Sequence, residues 1–488
     1  MKRSKDNPNI LLISIDSLRA DHLSTYGYHR ETSPYLSEFA TDAVTFENAY
    51  TAANWTGASI TSILTGLYPT CHGYTNKHYF FDNGEDSLAS ILKQNGYFTI
   101  CFSNNLYFSG RTGLDAGFDD FRYRGRRESV SGEQKRSALK MIKEKIKQIP
   151  SMRSKQLVKN VIDSLNREKA LHRDDGAYDT EAAFTKWMGK RDSDKPFFAY
   201  IHYQEPHSVY FPPYPYRRRF FSGSWLAEGA LLHFDHMRYY GGKTRFTESQ
   251  VRGYKELYDG EICYLDWRLG RLYDLLKAQN QLDRTIVIVT ADHGEMFGEK
   301  GFFWHAFCLY QPLIRVPLII RYPEWFGRDV RSLEIVQTND LVPTLLEGLD
   351  IEWKYAENQQ GQSFLNGSKR AAALTETYNP QHIVERWVHR NKDLQQEDFK
   401  HFLRDIRSYQ TVDSKLIVGS DGQKEFYDLQ RDPQETTDLY NSADENIAAM
   451  EKALDEWVGS FKPHSVAEGT QPGFDKTTWE KMKALGYA

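Results

Sequence analysis

Five short runs of β-branched and aromatic residues, Ile10–Ile15, Tyr97–Phe102, Phe197–Tyr203, Thr285–Thr290 and Val316–Arg321, are separated by longer stretches of mixed polar and apolar residues. Short strand-like runs alternating with helix-length segments are the pattern of βα units, which predicts a parallel sheet covered by helices. Ser33–Ala40, Ser87–Gln94 and Thr247–Ala278 are read as three of those helices. In open parallel sheets the chemistry gathers beyond the carboxyl ends of the strands. Four of the runs end in polar residues there: Asp16-Ser17, Ser103-Asn104, His202 to His207, and Asp292-His293. That coincidence is the first sign of an active site.

After about Gly367 the pattern changes to short strands joined by turns: Ala372–Tyr378, Ile406–Thr411, Lys415–Val418 and Glu425–Leu429. Asp421-Gly422 marks a hairpin, and a helix follows near Glu445–Phe461. The expected organisation is therefore an α/β catalytic domain over 1–367 and a small α+β subdomain with an antiparallel sheet over 368–488. The segment 131–170 stands apart, with eleven lysines and arginines against four acids. Its apolar residues recur at helical spacing on both sides of Pro150. We read it as a solvated basic helical insertion; guiding an anionic substrate, touching a membrane surface and dimerising are its alternatives.

With 488 residues, 40% of them hydrophobic, the chain can bury a large core. A formal charge of -4 supplies no global field for nucleic acid, so no such partner is expected. Cys71, Cys101, Cys263 and Cys308 are scattered without metal-type spacing and read as inert thiols. The apolar run NILLISI is too short for a secretory core or a membrane span, and no later segment reaches about 18 apolar residues. A cytoplasmic protein is expected, and a homo-oligomer stays open.

Asp16 closes one apolar strand, and Asp292-His293 close another within IVIVTADHGE. Two strand-end carboxylates and an imidazole suit one divalent cation: Mg, Ca or Mn through oxygen, Mn or Zn where imidazole joins. The segment Asn54–Gly73, NWTGASITSILTGLYPTCHG, is the most specific in the chain. Ala58 to Leu64 can form a helix whose first turn begins beside Thr56. A hydroxyl there is either a simple N-cap or a nucleophile facing free N–H groups and the positive helix end.

The segments NILLISIDSLRADHLSTYGY, SILTGLYPTCHG, PFFAYIHYQEPHSVYFPP, IVIVTADHGEMFGEKGFFWH with LIRVPLIIRYP, and FYDLQRDPQETTDL resemble, in order and spacing, those of the sulfatase family of the alkaline phosphatase superfamily. The resemblance implies an alkaline phosphatase-like three-layer α/β/α fold with a mostly parallel central sheet. It implies an ester hydrolase with one divalent metal held by Asp16, Thr56, Asp292 and His293. By position it makes His207 the general acid, while His305 stands where many members carry a substrate-binding lysine. Asn104 stands where relatives place a polar substrate contact, with Asn76 and His202 as further substrate-binding candidates. Lys300 falls where a histidine is usual and reads as a nearby charge. His202, His207 and His305 could supply part of a second metal set.

The departures from the family pattern bear on the chemistry. Family members show Cys or Ser, then x-Pro-Ser-Arg, nine residues before the Thr of a Thr-Gly pair. Counting back nine from Thr65 reaches Thr56, followed by Gly57-Ala58-Ser59-Ile60. There is no Cys or Ser to convert to formylglycine, and Ile60 replaces the arginine. Threonine instead resembles the phosphodiesterase and phosphoglycerol-transferase branches. A hydrated aldehyde expels sulfate by collapsing to the carbonyl, whereas a threonine ester must be cleaved at its central atom. Phosphoric esters, diesters above all, are therefore favoured over sulfuric esters, the substrate in either case being an anionic ester of a small molecule, a glycan or a lipid headgroup. A transferase to an acceptor alcohol and a catalytically weak binding protein are the competing readings.

Overall fold

The computed structural model describes residues 7–82, 84–123, 174–191, 195–224, 235–353, 359–368, 370–442 and 445–464, with the single residues 227 and 231. The basic segment 131–170 lies outside the described residues. Fourteen strands are described. The first ten are β1 (Asn9–Ile15), β2 (Val44–Tyr50), β3 (Phe98–Ser103), β4 (Asp120–Tyr123), β5 (Phe197–Tyr203), β6 (Thr285–Ala291), β7 (Met296–Phe297), β8 (Phe303–Trp304), β9 (Leu318–Arg321) and β10 (Val330–Gln337). Then come β11 (Ala373–Thr377), β12 (Ile406–Gln410), β13 (Ser414–Gly419) and β14 (Lys424–Asp428).

Eight strands form the central sheet in the order β10-β2-β9-β6-β1-β5-β3-β4. Every pairing is parallel except those of β9, which runs antiparallel to β2 and β6. Side chains alternate along β1, so the two faces of the sheet carry different cores. Leu11, Ile13 and Ile15 pack with Leu36, Phe184 and Leu257 on one side. Ile10 and Leu12 pack with Ile60, Leu88 and Leu341 on the other. Helices thus cover both faces, giving the three-layer α/β/α architecture that the motif pattern implies. All four cysteines are buried and free. No helix of the described residues is long and apolar enough to cross a membrane.

Local signals explain the helix starts. Ser87 accepts the Ser90 N–H at the head of the Leu88–Gln94 helix. Thr247 and Gln250 form a capping box ahead of the Glu248–Ala278 helix. Three strands of the central sheet escape the sequence pattern: β2, β4 and β10. All are polar enough to blur the run, because β4 and β10 are edge strands and β10 is mostly exposed over its first five residues. The run at Val316 begins as a strand only at Leu318.

The antiparallel sheet, ordered β11-β12-β13-β14, docks on the main body beside residues 51–54. Glu376 N–H donates to Ala52 O at 3.0 Å, and Thr375 Oγ1 donates to Thr51 O at 2.7 Å. A buried ion pair locks the chain that leads into β11: Arg370 Nε donates to Asp340 Oδ2 at 2.9 Å, and Nη1 donates to Tyr68 Oη at 3.0 Å. Arg370→Ala strands Asp340 in the interior, an effect of about 3–5 kcal/mol. Urea denaturation should show the midpoint falling accordingly; a loss under about 1 kcal/mol would mean that water replaces the guanidinium.

Candidate active site

The register of the sheet builds the centre of the site. Ile15 of β1 lies opposite Ala291 of β6, so Asp16 and Asp292 are the next residues of two adjacent parallel strands. Both carboxylates and His293 are fully buried. Ser17 takes a left-handed backbone, φ 60°, which aims its N–H at Asp292 Oδ1, 3.2 Å away, while its hydroxyl donates to Asp16 Oδ1 at 3.0 Å. His293 Nδ1 lies 2.8 Å from the Gly294 carbonyl, which places the ring proton there and leaves the Nε2 lone pair facing inward. A Cβ at Gly294 would run into the Pro312 carbonyl oxygen, so the turn after His293 admits only glycine.

Thr56 is the first residue of the Thr56–Thr65 helix, and Trp55 holds the N-cap position with no side-chain capping bond. Thr56 is thus a first-turn residue and not the cap, and the backbone N–H groups of that turn have no side-chain cap. Thr56 Oγ1 is 3.3 Å from His293 Nε2. Ser59 ties this helix to β6, its hydroxyl donating to Asp292 O at 2.6 Å. Ile60, where the family arginine would stand, is fully buried in the core.

Four donor atoms thus converge. His293 Nε2 lies 3.7 Å from both Asp16 Oδ1 and Asp292 Oδ2, and Asp292 Oδ2 has no hydrogen-bond partner among the described residues. A buried carboxylate oxygen left without a donor beside an imidazole lone pair fits a divalent cation. Among the described residues, Asp16, Asp292 and His293 are the one cluster of three or more His, Cys, Asp or Glu whose ligand atoms lie within 4.8 Å of one another. His202, His207 and His305 are not gathered into a second such cluster. Burial pushes the Asp292 carboxyl well above the usual range, and Asp16 beside it adds to the effect. Burial also acts against the charge of Asp16, but His207, His202 and His293 outweigh it and hold that carboxyl well below the usual range.

The other candidates fall in three positions. His207 and His305 stand at the mouth of the centre, ring centroids 5.2 Å apart, with His305 also 4.5 Å from His293. Burial lowers both imidazoles, and for His305 the neighbouring His293 lowers it further. His207 Nδ1 bonds to the Ser208 carbonyl at 2.7 Å, leaving Nε2 as its working atom. His202 lies behind Asp16. Tyr200 Oη donates to Ser14 Oγ, Ser14 reaches His202 Nδ1 at 2.8 Å, and His202 Nε2 is 3.6 Å from Asp16 Oδ2. His202 is thus tied into a buried chain that ends beside Asp16. Asn76 lines the outer cleft and donates to Tyr378 O at 2.8 Å.

Asn104 is not brought to the centre: its amide donates to Thr180 Oγ1 at 2.9 Å. Its neighbour Asn105 holds Asp16 Oδ2 at 2.7 Å, joined by Gln204 Nε2 at 3.2 Å. Lys300 is turned away onto Tyr427 Oη and Glu435 O, at 2.8 and 2.6 Å. Glu295, two residues past His293, was not singled out by the motif reading. It accepts from Tyr210 Oη at 3.0 Å, its other oxygen is 3.4 Å from His305 Nδ1, and burial pushes it up to about 7. A cleft of about 830 Å³, open mouth included, runs from Thr56, His207 and His305 to the Gln381–Arg390 helix.

Comparison with known proteins places this geometry. A family model described as Sulfatase matches residues 8–351, and one described as N-sulphoglucosamine sulphohydrolase, C-terminal, matches residues 298–460. An arylsulfatase of Clostridium perfringens is 27% identical over 473 residues, covering 92% of this chain and 93% of its own. A solved phosphonate monoester hydrolase of Agrobacterium radiobacter superposes with a TM-score of 0.67 at 21% identity, covering 93% of this chain and 95% of its own. A second solved structure, a complex with its substrate D-glucosamine-2-N,6-O-disulfate, gives a TM-score of 0.69 at 19% identity over 93% and 98% of the two chains.

Proposed function

This chain belongs to the sulfatase family and is a hydrolase acting on sulfate or phosphate ester bonds; from that premise we propose that it is metal-dependent, attacks through Thr56 and favours phosphoric esters, diesters in particular. The observation that carries the reading is the convergence of Thr56 Oγ1, His293 Nε2, Asp16 and the unpartnered Asp292 Oδ2 in a buried centre. Asp16, Asp292, His293 and Thr56 would hold a divalent ion, which would supply Lewis-acid charge to the threonine hydroxyl and the ester oxygens.

The chain's own residues divide the remaining work. Thr56 Oγ, its proton lost to solvent, forms a bond as the alkoxide to the phosphorus or sulfur while the bond to the alcohol oxygen breaks. First-turn N–H groups of the Thr56–Thr65 helix and His305 face the non-bridging oxygens, and His207, in its imidazolium form, gives its Nε2 proton to the departing alcohol. Water then attacks the central atom of the Thr56 ester, passing a proton to His207 Nε2 as the bond to Thr56 Oγ breaks, which restores the alkoxide and the imidazolium. The aldehyde route is closed, because neither Cys nor Ser stands at position 56. The phosphonate monoester hydrolase likeness supports phosphorus chemistry, and the arylsulfatase and sulfated-sugar likenesses keep sulfuric esters as the second reading.

The test is a panel of bis-nitrophenyl phosphate, nitrophenyl phosphate and nitrophenyl sulfate with Mn, Mg, Ca or Zn added in turn. The diester should be turned over fastest and with metal only. Fastest turnover of the sulfate would overturn the substrate preference; turnover undiminished by a chelator would overturn the metal requirement. Capture of the product by glycerol in place of water would make the protein a transferase.

A further inference from the structure

We propose that the arm of the cleft remote from Thr56 is a second anion subsite, where Arg390, supported by Arg386, holds a carboxylate, sulfate or phosphate that the substrate carries besides the ester being cleaved. The proposal rests on the hydrolase reading for what happens at Thr56, and on the far wall of the cleft for the rest.

The lining of the cleft contains three guanidinium groups, Arg386, Arg390 and Arg404, and no carboxylate among the described residues. Arg386 and Arg390 are four apart on the Gln381–Arg390 helix and therefore share a face. Like charges at this spacing repel, which costs the helix stability. Burial lowers the Arg390 guanidinium below its ordinary range, and the neighbouring Arg386 lowers it further.

The acids nearby are engaged elsewhere. Glu385 meets His382 and Gln381 on the exposed side of the same helix, at 3.5 and 2.7 Å. Asp393 pairs with Arg238 at 2.5 Å, Asp405 with Lys77 at 3.0 Å, and Asp421 with Arg404 at 3.2 Å. Arg386 faces the hydroxyls of Tyr79 and Tyr107, which are neutral partners. Arg390 has no hydrogen-bond partner among the described residues. A cation in the last turn of a helix is favoured by the helix dipole, and that alone could place Arg390. It does not explain a second cation one turn earlier, or an acid-free lining on the side where an anionic ester binds.

The rings between the two ends set the kind of molecule. Trp55, next to Thr56, packs edge-on to Tyr79 and Tyr107 at centroid distances of 5.6 and 5.7 Å. The hydroxyl ends of both tyrosines face Arg386, so a single ring cluster runs from beside Thr56 to that arginine. A substrate that lies along it carries its two charged groups at opposite ends of the molecule. A planar guanidinium suits the second group, because it can offer paired N–H donors to an oxyanion.

The experiment is calorimetric titration of the full-length, metal-loaded protein with two matched pairs: glucose 6-phosphate against glucose 1,6-bisphosphate, and glucosamine 6-sulfate against glucosamine 2-N,6-O-disulfate. In at least one pair the two-anion member should bind about 10-fold more tightly than its partner, the range expected of hydrogen bonds to charged groups. Arg390→Ala should remove most of that ratio, and Arg390→Lys should keep part of it. Arg390→Gln, which keeps the stem, serves if the alanine variant fails to fold. Equal binding within both pairs, or a ratio unmoved by Arg390→Ala and Arg390→Gln, would overturn the subsite. A binding ratio that depends on Arg390, with no turnover of any ester, upholds the subsite and counts against the hydrolase reading alone.

Discussion

Thr56→Ala is expected to lower kcat/KM by on the order of 10⁴–10⁶, the scale seen when a nucleophile that works as part of a unit is removed. The residue lies at the head of a helix, and its side chain is no cap of that helix, so alanine costs little structure. The protein should therefore remain folded and keep three of its four metal donors while losing covalent chemistry. Rapid-quench intact mass analysis completes the test. Wild type should carry a phosphoryl or sulfuryl increment during turnover that the variant lacks, with high mass accuracy or isotopic labelling to tell the two groups apart. A variant within tenfold of wild-type activity would remove Thr56 from the nucleophile's place.

Asp292→Asn is expected to have the second largest effect, and it should act in two directions. The substitution keeps the shape but discards the carboxylate oxygen that has no other partner in the centre. Metal affinity should fall by more than about 100-fold, the upper range for altering a residue outside the ligand shell. The metal-free variant should be at least as stable as metal-free wild type, because a second buried acid no longer sits beside Asp16. The order reverses with metal present. An ion at a hundred times its dissociation constant stabilises wild type by about 2.7 kcal/mol and leaves the variant nearly unmoved. Elemental analysis and thermal denaturation with and without metal read both effects. Full metal occupancy in Asp292→Asn would show that the ligands lie elsewhere.

The centre of the site was legible because two apolar strands stop abruptly at Asp16 and Asp292-His293, and burial on both faces keeps such strands apolar to their last residue. The supporting residues were harder to see. Asn104 and Asn105 follow the same strand, and only the three-dimensional course of the turn decides that Asn105, not Asn104, meets Asp16. Gln204 sits among the polar residues after β5 with no signal of its own. The strand β10 reads as irregular because its first residues face solvent. The arginine wall was invisible for a different reason: Arg386 and Arg390 lie about 330 residues from Thr56 in a helix with no motif, and only the docking of the C-terminal sheet brings them into the cleft.

That docking runs through the short stretch 51–54, which hydrogen-bonds β11 and leads directly into Thr56. Reactive groups and the far wall of the cleft therefore come from separate parts of the chain, joined at one seam. Such a division lets selectivity drift while the reaction is conserved: changes in 378–406 can retarget the protein to a new anion without touching a catalytic atom, whereas changes at the seam disturb both at once.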